Sequence, residues 1–229
     1  MTVHDVTLQL PEPAALHAHC RALAVLESVL GPEWTDRHHF FAARWSETEA
    51  LASMRDGSGD EYSIVFSPAG TYIRGFAHES PMSPYADDGP WPGVLDDVPG
   101  AFRPYIAEPA FSDEDGMPVV TACIWRTSED DRWRTGTIDF PEETPGDPDG
   151  AAHLFHLLTN RSAEAFKQWA EDYYEITVDL AAVRHVLSSR PLTEELVRTL
   201  NPDITLDDLS DGIAETGYPV MSAGSSHMP

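Results

Sequence analysis

Hydrophobic residues repeat at helical spacing near the start of the chain, which predicts an amphipathic helix over residues 12–30. Proline precedes this segment and Gly31 follows it, as helix boundaries prefer. Its predicted buried stripe consists of Leu16, Cys20, Leu23, Leu26 and Leu30.

The pattern then changes to the alternation of β-strands. Residues 62–66 and 71–76 are rich in aromatic and β-branched side chains, and residues 67–70 between them carry the proline and glycine of a tight turn, so a β-hairpin is predicted. A strand is also predicted over residues 38–45, with Phe40 and Phe41 on opposite faces, and a short helix over residues 46–55. A second hairpin is predicted to join residues 118–126 to residues 132–139.

Residues 77–117 separate the two predicted hairpins, and they hold seven prolines with little periodicity. A segment of this length is too long for a passive loop. We therefore expect it to be functional or to cover one side of the sheet.

Helical patterns fill the last third of the chain. A short apolar helix is predicted over residues 151–158, and further helices begin at the capping residues Ser162, Asp179 and Thr193. A last helix opens near Thr205 and stops at Gly217.

The order of elements predicts an α+β fold, with an N-terminal helix, a central, mainly antiparallel sheet built from two hairpins, and a C-terminal helical segment packed on it. We expect one domain over residues 1–220, in which residues 149–220 are a possible helical subdomain, and a flexible tail over residues 221–229.

The net charge of the chain limits the classes of macromolecule that it can bind. The 229 residues include 39 Asp and Glu against 14 Lys and Arg, a net charge of −25. Such a chain repels phosphate backbones and anionic lipids, so nucleic acid and membrane are poor partners and a basic protein is a plausible one. Residues 86–149 hold sixteen Asp and Glu against four Arg, a net −12, which makes this stretch a candidate surface.

Several familiar signals are missing from the sequence. It has no signal-peptide pattern, no run of 18 apolar residues, no glycine-rich phosphate loop and no nucleophile elbow. The two cysteines, Cys20 and Cys123, are too few for a disulfide framework or a zinc site. We expect a cytoplasmic protein with reduced thiols and no cofactor.

Candidate chemistry concentrates in residues 74–91, which leave the first hairpin. His78, Glu79 and Ser80 have the residue types for proton transfer, although neighbouring side chains diverge. The competing interpretation is that this segment packs over the sheet, with Tyr85 and Trp91 as anchors.

The second predicted hairpin adds a smaller group of basic and aromatic residues. Trp125 and Arg126 lie on one side of its turn, and Trp133, between Arg132 and Arg134, lies on the other. These arginines either neutralise nearby carboxylates or grip an acidic ligand group.

A metal site has weak support. His153 and His156 are three residues apart on a predicted helix and are the weak candidates, but the residues between them are typical of a core, so no metal is expected.

The leading hypothesis is a non-enzymatic, acidic protein-binding module for a basic partner. Its predicted binding residues are Arg74, His78, Glu79, Tyr85, Trp91, Trp125, Arg126 and Trp133. The alternative is a hydrolase-like enzyme for a small molecule, with His78, Glu79 and Ser80 as catalytic residues and Arg74 or Arg126 as an anion contact. A homo-oligomeric structural protein is the third interpretation, and the oligomeric state stays open.

Three short segments, residues 169–175, 191–202 and 217–219, resemble uncharacterised bacterial proteins of unknown function. This resemblance implies no catalytic residues. The chain is also similar in type to the immunity proteins of bacterial toxin systems, which are small, acidic, cytosolic α+β proteins, but it departs from the glycine- and tryptophan-rich pattern of the best-known immunity family. That likeness implies a role as an inhibitor of a basic partner protein.

Overall fold

A computed structural model describes residues 1–86, 88–141 and 146–221. Within these ranges the helices are α1 Val3–Thr7, α2 Pro13–Leu30, α3 Arg103–Ile106, α4 Ala151–Leu154, α5 His156–Thr159, α6 Ala163–Tyr174, α7 Leu180–Leu187, α8 Glu194–Leu200 and α9 Ser210–Thr216. The strands are β1 His39–Ala42, β2 Ala50–Arg55, β3 Glu61–Ser67, β4 Gly70–Phe76 and β5 Ala122–Thr127. The tail predicted over residues 221–229 lies outside the described residues except for Met221.

The five strands form one antiparallel sheet in sequence order, β1-β2-β3-β4-β5. The first predicted hairpin is confirmed, because β3 pairs with β4 and Ser67 lies opposite Gly70 at the turn. The short helix predicted over residues 46–55 is wrong. Residues 45–49 form a turn, and β2 follows it with the alternating burial of a strand that has a partner on each side.

The second predicted hairpin is only partly formed. Trp125 and Arg134 exchange two backbone hydrogen bonds of 2.8 Å, but residues 135–139 form no strand. The chain leaves β5 because Asp97, from the proline-rich segment, accepts hydrogen bonds from the backbone and the hydroxyl of Thr137, both at 3.2 Å. The strand predicted over residues 132–139 is therefore corrected to a single bridge.

Different parts of the chain cover the two faces of the sheet. Helix α2 and the C-terminal helices pack on the face that carries Ile64 and Ile73. The opposite face carries Tyr72 and Trp125, and residues of the proline-rich segment pack against these, including Val94. The expectation that residues 77–117 cover one side of the sheet is thus confirmed.

The predicted helix caps form hydrogen bonds to backbone amides. Ser162 accepts one from Ala165 at 3.1 Å, and Asp179 accepts one from Ala182 at 2.7 Å. Thr193 accepts one from the third residue of its helix in the same way. The last helix begins at Ser210, after a turn at residues 205–208, and ends at Gly217, whose φ is +62°.

One predicted helix is divided, and one helix of the structure was not predicted from the sequence. The single helix predicted over residues 151–158 consists of two four-residue helices, α4 and α5, with Phe155 between them. Helix α1 has too short a pattern to be read from periodicity, and a buried carboxylate, Asp149, binds its first amide at 2.7 Å.

The α+β class is confirmed, with an N-terminal helix, an antiparallel sheet and C-terminal helices. One cluster of buried side chains includes residues from α1, α2, the sheet and α6 to α9. No helix within the described ranges is long and apolar enough to cross a lipid bilayer.

Candidate functional site

The turn between β2 and β3 is built around the carboxylate of Asp56. Its Oδ1 accepts hydrogen bonds from the amides of Ser58, Gly59 and Asp60 at 2.8, 3.1 and 3.0 Å. Partial burial acts to raise the pKa of Asp56, but the hydrogen bonds from the Ser58 hydroxyl and the three amides outweigh it and lower the pKa. This turn therefore holds an ionised carboxylate in a fixed orientation.

Asp60 joins this turn to the end of the first hairpin. One of its oxygens, Oδ1, accepts a hydrogen bond from the backbone amide of His78 at 2.8 Å and lies 2.7 Å from the imidazole Nδ1 of the same residue. The hydrogen bond to Asp60 is the largest cause of a raised pKa at His78. The carboxylate of Asp60 thus orients the imidazole, and the side chain of His78 is 39% exposed.

The other two predicted catalytic residues have different surroundings. Glu79 is almost fully exposed, and its carboxylate lies 3.9 Å from Nε2 of His78. The hydroxyl of Ser80 is nearly buried and donates to the carbonyl of Pro148 at 2.6 Å. The structure therefore brings His78 and Glu79 together, whereas Ser80 supports the chain near α4.

Asp60 also approaches one of the two weak metal candidates. Nε2 of His153 lies 3.7 Å from Oδ2 of Asp60, and the ligand atoms of Asp56, Asp60 and His153 all lie within 4.8 Å of one another. His156 belongs to the next helix and is not part of this group. We call Asp56, Asp60 and His153 the turn cluster.

Arg74 points into the interior and has only 2% exposure. It donates to the carbonyl of Val119 at 2.6 Å, forms an ion pair with Glu61 and lies over the ring of Phe111, 4.9 Å from its centroid. These contacts fix the proline-rich segment to the sheet, so Arg74 is not presented to an external ligand.

Two of the four predicted aromatic binding residues are also in the interior. Trp125 is 2% exposed and Trp133 6%, and the indole of Trp133 donates to the carbonyl of Pro11 at 2.7 Å. Trp91 is half-buried and donates to a backbone carbonyl, whereas Tyr85 is 59% exposed.

Arg126 forms an ion pair at 2.9 Å with Glu12, across the mouth of a cavity of about 880 Å³ between β5 and the start of α2. Its guanidinium also donates to the carbonyl of Asp130 at 3.2 Å. Arg126 is therefore paired within the chain.

A second surface feature was not predicted from the sequence. Trp34, in the turn after α2, is 67% exposed, and Tyr173, near the end of α6, is 41% exposed. With Phe40 of β1 they line a shallow groove of about 360 Å³. We call Trp34, Phe40 and Tyr173 the aromatic groove.

The aromatic groove is formed where the sheet face is not covered by the proline-rich segment. Phe40 is half-buried, and its ring centroid lies 5.6 Å from that of Trp34. The ring of His38 contacts that of Tyr173 in a tilted arrangement, with the two centroids 4.2 Å apart. The sequence contained one relevant signal: Phe40 and Phe41 are adjacent on a strand, so one of these two aromatic rings must face away from the core.

Acidic residues surround this groove. Glu33 and Asp36 flank Trp34 and are exposed, and Asp56 of the turn cluster is part of the lining. Burial, followed by the charges of Asp36 and the buried Glu27, raises the pKa of Tyr173. Exposed carboxylates therefore lie beside an apolar surface.

The two arginines that line the groove are each bound within the chain. Arg37 donates to the carbonyl of Gly31 at 2.7 Å, and Arg55 lies 3.2 Å from a carboxylate oxygen of Glu61. Arg55 is thus paired with a carboxylate, and Glu27 and Glu33 act on the charge of Arg37.

Comparisons of the chain with protein-family models, with curated proteins and with solved structures find no match.

Proposed function

We propose that this chain is a non-enzymatic binding module that recognises a basic protein through the aromatic groove. The observation that carries the proposal is the pair of exposed rings, Trp34 and Tyr173, on either side of a groove in a chain of net charge −25. Aromatic side chains of this kind dominate binding energy at protein interfaces.

The chemistry of the groove suits a cationic side chain. A guanidinium placed over the ring of Trp34 or Tyr173 gains a cation–π contact, and the nearby carboxylate of Asp36 pairs with its charge. Arginine is also enriched at protein interfaces. We therefore expect the partner to insert an arginine beside the exposed indole.

The net charge supports fast encounter with such a partner. Complementary fields raise association rates by orders of magnitude, and salt screens them. An acidic immunity-type inhibitor of a basic toxin is one form of this function, and it stays a prediction from the type-level likeness.

The enzymatic alternative, a hydrolase-like activity around His78, has one observation in its favour. His78 is oriented by Asp60 in the way a general base is oriented by a carboxylate. The hydroxyl of Ser80 is bound to Pro148 and does not contact His78, so the residues named for this alternative do not form a nucleophile–base pair.

A titration with a defined cationic peptide tests the binding proposal. The probe is a dodecamer of alternating arginine and alanine, followed by backbone-amide chemical shifts, with a glutamine-for-arginine peptide as its neutral match. We expect shifts centred on Trp34, Phe40 and Tyr173, and an affinity that falls as sodium chloride rises from about 20 to about 300 mM.

Paired aromatic variants locate the surface. Trp34→Ala and Tyr173→Ala are each expected to weaken binding about fivefold or more, because truncated anchors cost over 1 kcal/mol. Tyr85→Ala is the matched control, since the exposure of this ring, 59%, lies between those of Tyr173 and Trp34 and the ring lies outside the groove. Equal losses in Tyr85→Ala and Tyr173→Ala, or equal binding of the neutral peptide, would overturn the proposal.

A further inference from the structure

We propose that the turn cluster, Asp56, Asp60 and His153, binds one divalent transition-metal ion of the Zn²⁺ class. The three residues come from two parts of the chain, the β2–β3 turn and helix α4, and their ligand atoms converge within 4.8 Å. This inference does not rest on the proposed binding of a basic protein.

The spacing of the ligand atoms is close to what a metal requires. Zinc binds carboxylate oxygen and imidazole nitrogen at about 2.0–2.2 Å, which places tetrahedral ligands roughly 3.3–3.6 Å apart. Oδ2 of Asp60 and Nε2 of His153 are 3.7 Å apart. The three ligand atoms together lie within 4.8 Å of one another, so a bound ion would draw the side chains closer. His153 is 73% exposed, and its imidazole can move without displacing the core.

The carboxylate of Asp60 is held by one oxygen and that of Asp56 by both. In Asp60, Oδ1 is bound by the amide and the imidazole of His78, so Oδ2 is the oxygen that faces His153. In Asp56, Oδ1 receives the three amides of the turn, and Oδ2 accepts the hydroxyl of Ser58 and keeps a lone pair for a metal ion. His78 therefore has a positioning role, like the groups that orient metal ligands from outside the coordination shell.

The ligand types select the class of ion. Two carboxylates supply two negative charges for a divalent cation, and a neutral imidazole favours zinc and its first-row neighbours over magnesium and calcium. Three protein ligands leave a position for water.

A bound ion would also connect two parts of the fold. Asp56 and Asp60 belong to the turn between β2 and β3, whereas His153 belongs to helix α4. Because the unfolded chain does not hold these residues together, metal binding is expected to raise Tm. At one hundred times Kd the rise is about 5–10 °C for a chain of this size.

The test uses the full chain after treatment with a chelator, titrated with Zn²⁺ by calorimetry and followed by thermal unfolding. We expect one high-affinity site and a rise in Tm, with a much smaller response to Mg²⁺. His153→Gln and Asp60→Asn are each expected to weaken zinc binding at least tenfold while the circular dichroism spectrum is retained.

His156→Gln is the matched control, because this histidine is exposed, lies three residues further on and is outside the turn cluster. We expect it to change zinc affinity less than twofold. Equal effects of His153→Gln and His156→Gln would assign the binding to surface histidines in general, and would overturn the site. An absent calorimetric signal with the unaltered chain would overturn it as well.

The two proposals fail separately. Asp56 belongs to both sites, so the variants are placed at residues that belong to one site only. Loss of zinc binding in His153→Gln leaves the aromatic groove unchanged, because His153 does not line it. Loss of peptide binding in Trp34→Ala likewise leaves the turn cluster intact.

Discussion

The carboxylate of Glu27, which has no exposed surface, contacts the imidazole Nδ1 of His39, which is 6% exposed. The same carboxylate accepts the backbone amide of His38 at 2.6 Å and the hydroxyl of Tyr174 at 3.2 Å. One buried group on α2 therefore binds both β1 and α6. These two elements carry Phe40 and Tyr173, so the geometry of the aromatic groove depends on Glu27.

Replacing Glu27 is expected to be strongly destabilising. Glu27→Ala leaves the imidazole of His39 and the amides of His38 and His39 without their acceptor. Removing one partner of a buried ion pair costs about 3–5 kcal/mol. Urea unfolding at pH 7 measures the change. Glu114→Ala, at an exposed glutamate, is the control and is expected to lie within about 0.5 kcal/mol of the unaltered chain. A loss below about 1 kcal/mol for Glu27→Ala would contradict this role.

His19 is expected to make the fold sensitive to acid. Burial lowers its pKa to about 4, although the hydrogen bond to the carbonyl of Leu157 acts in the opposite direction. Between pH 6.5 and about 4 the unfolded chain binds more protons at this residue, so stability falls as the pH falls. The loss is about 3 kcal/mol.

Urea unfolding across this pH window tests the role of His19 through the variant His19→Gln, whose amide can still donate to Leu157. We expect the difference in stability between the variant and the unaltered chain to change with pH. Parallel profiles would show that His19 does not titrate differently in the folded and unfolded states.

Asp149 is expected to change the stability with pH in the direction opposite to His19. Burial raises its pKa to about 6, while the amides of Val3 and Ala151 act to lower it. Between pH 3.8 and about 6 the folded state binds more protons here, so this residue makes stability fall as the pH rises. Its contribution is about 3 kcal/mol.

Asp149→Asn removes that titration. Relative to this variant, the unaltered chain is expected to gain stability as the pH is lowered from about 6 to about 4, with urea midpoints as the measurement. A constant difference between the two chains would be inconsistent with a raised pKa at Asp149.

Local patterns in the sequence were sufficient for much of the fold. The buried stripe of α2, the first hairpin and the caps at Ser162 and Asp179 each depend on residues close together in the chain. The prediction of a helix over residues 46–55 was wrong because Ala50 and Ala52 carry a weak strand signal. Their pairing with β1 and β3 decides their conformation.

The candidate sites depended on contacts between distant residues, which the sequence does not display. Asp60 lies in the turn before the first hairpin, yet it meets His78, which follows β4, and His153 of α4. Trp133 and Arg74 look like surface residues by composition, but Trp133 binds Pro11 and Arg74 binds Val119. Such pairings follow from tertiary packing alone.

Gly75 lies where α4 and α5 meet the sheet. Its substitution tests whether the sheet and the C-terminal helices unfold together. A Cβ at this position would lie 2.7 Å from Phe155 and 2.9 Å from Leu154, two buried side chains. Gly75→Ala is therefore expected to cost about 1–3 kcal/mol through overpacking. Gly100→Ala is the control, because nothing lies within 4 Å of its added methyl group.

Thermal unfolding of Gly75→Ala, followed by far-ultraviolet and near-ultraviolet circular dichroism, distinguishes two organisations of the chain. If residues 1–220 are one domain, the far-ultraviolet and near-ultraviolet signals change in one shared transition, shifted by several degrees. If residues 149–220 unfold as a separate helical unit, the unfolding divides into two transitions. We expect a single transition, because side chains of α2, β4 and α5 belong to one continuous buried cluster and Gly75 lies against its helical side.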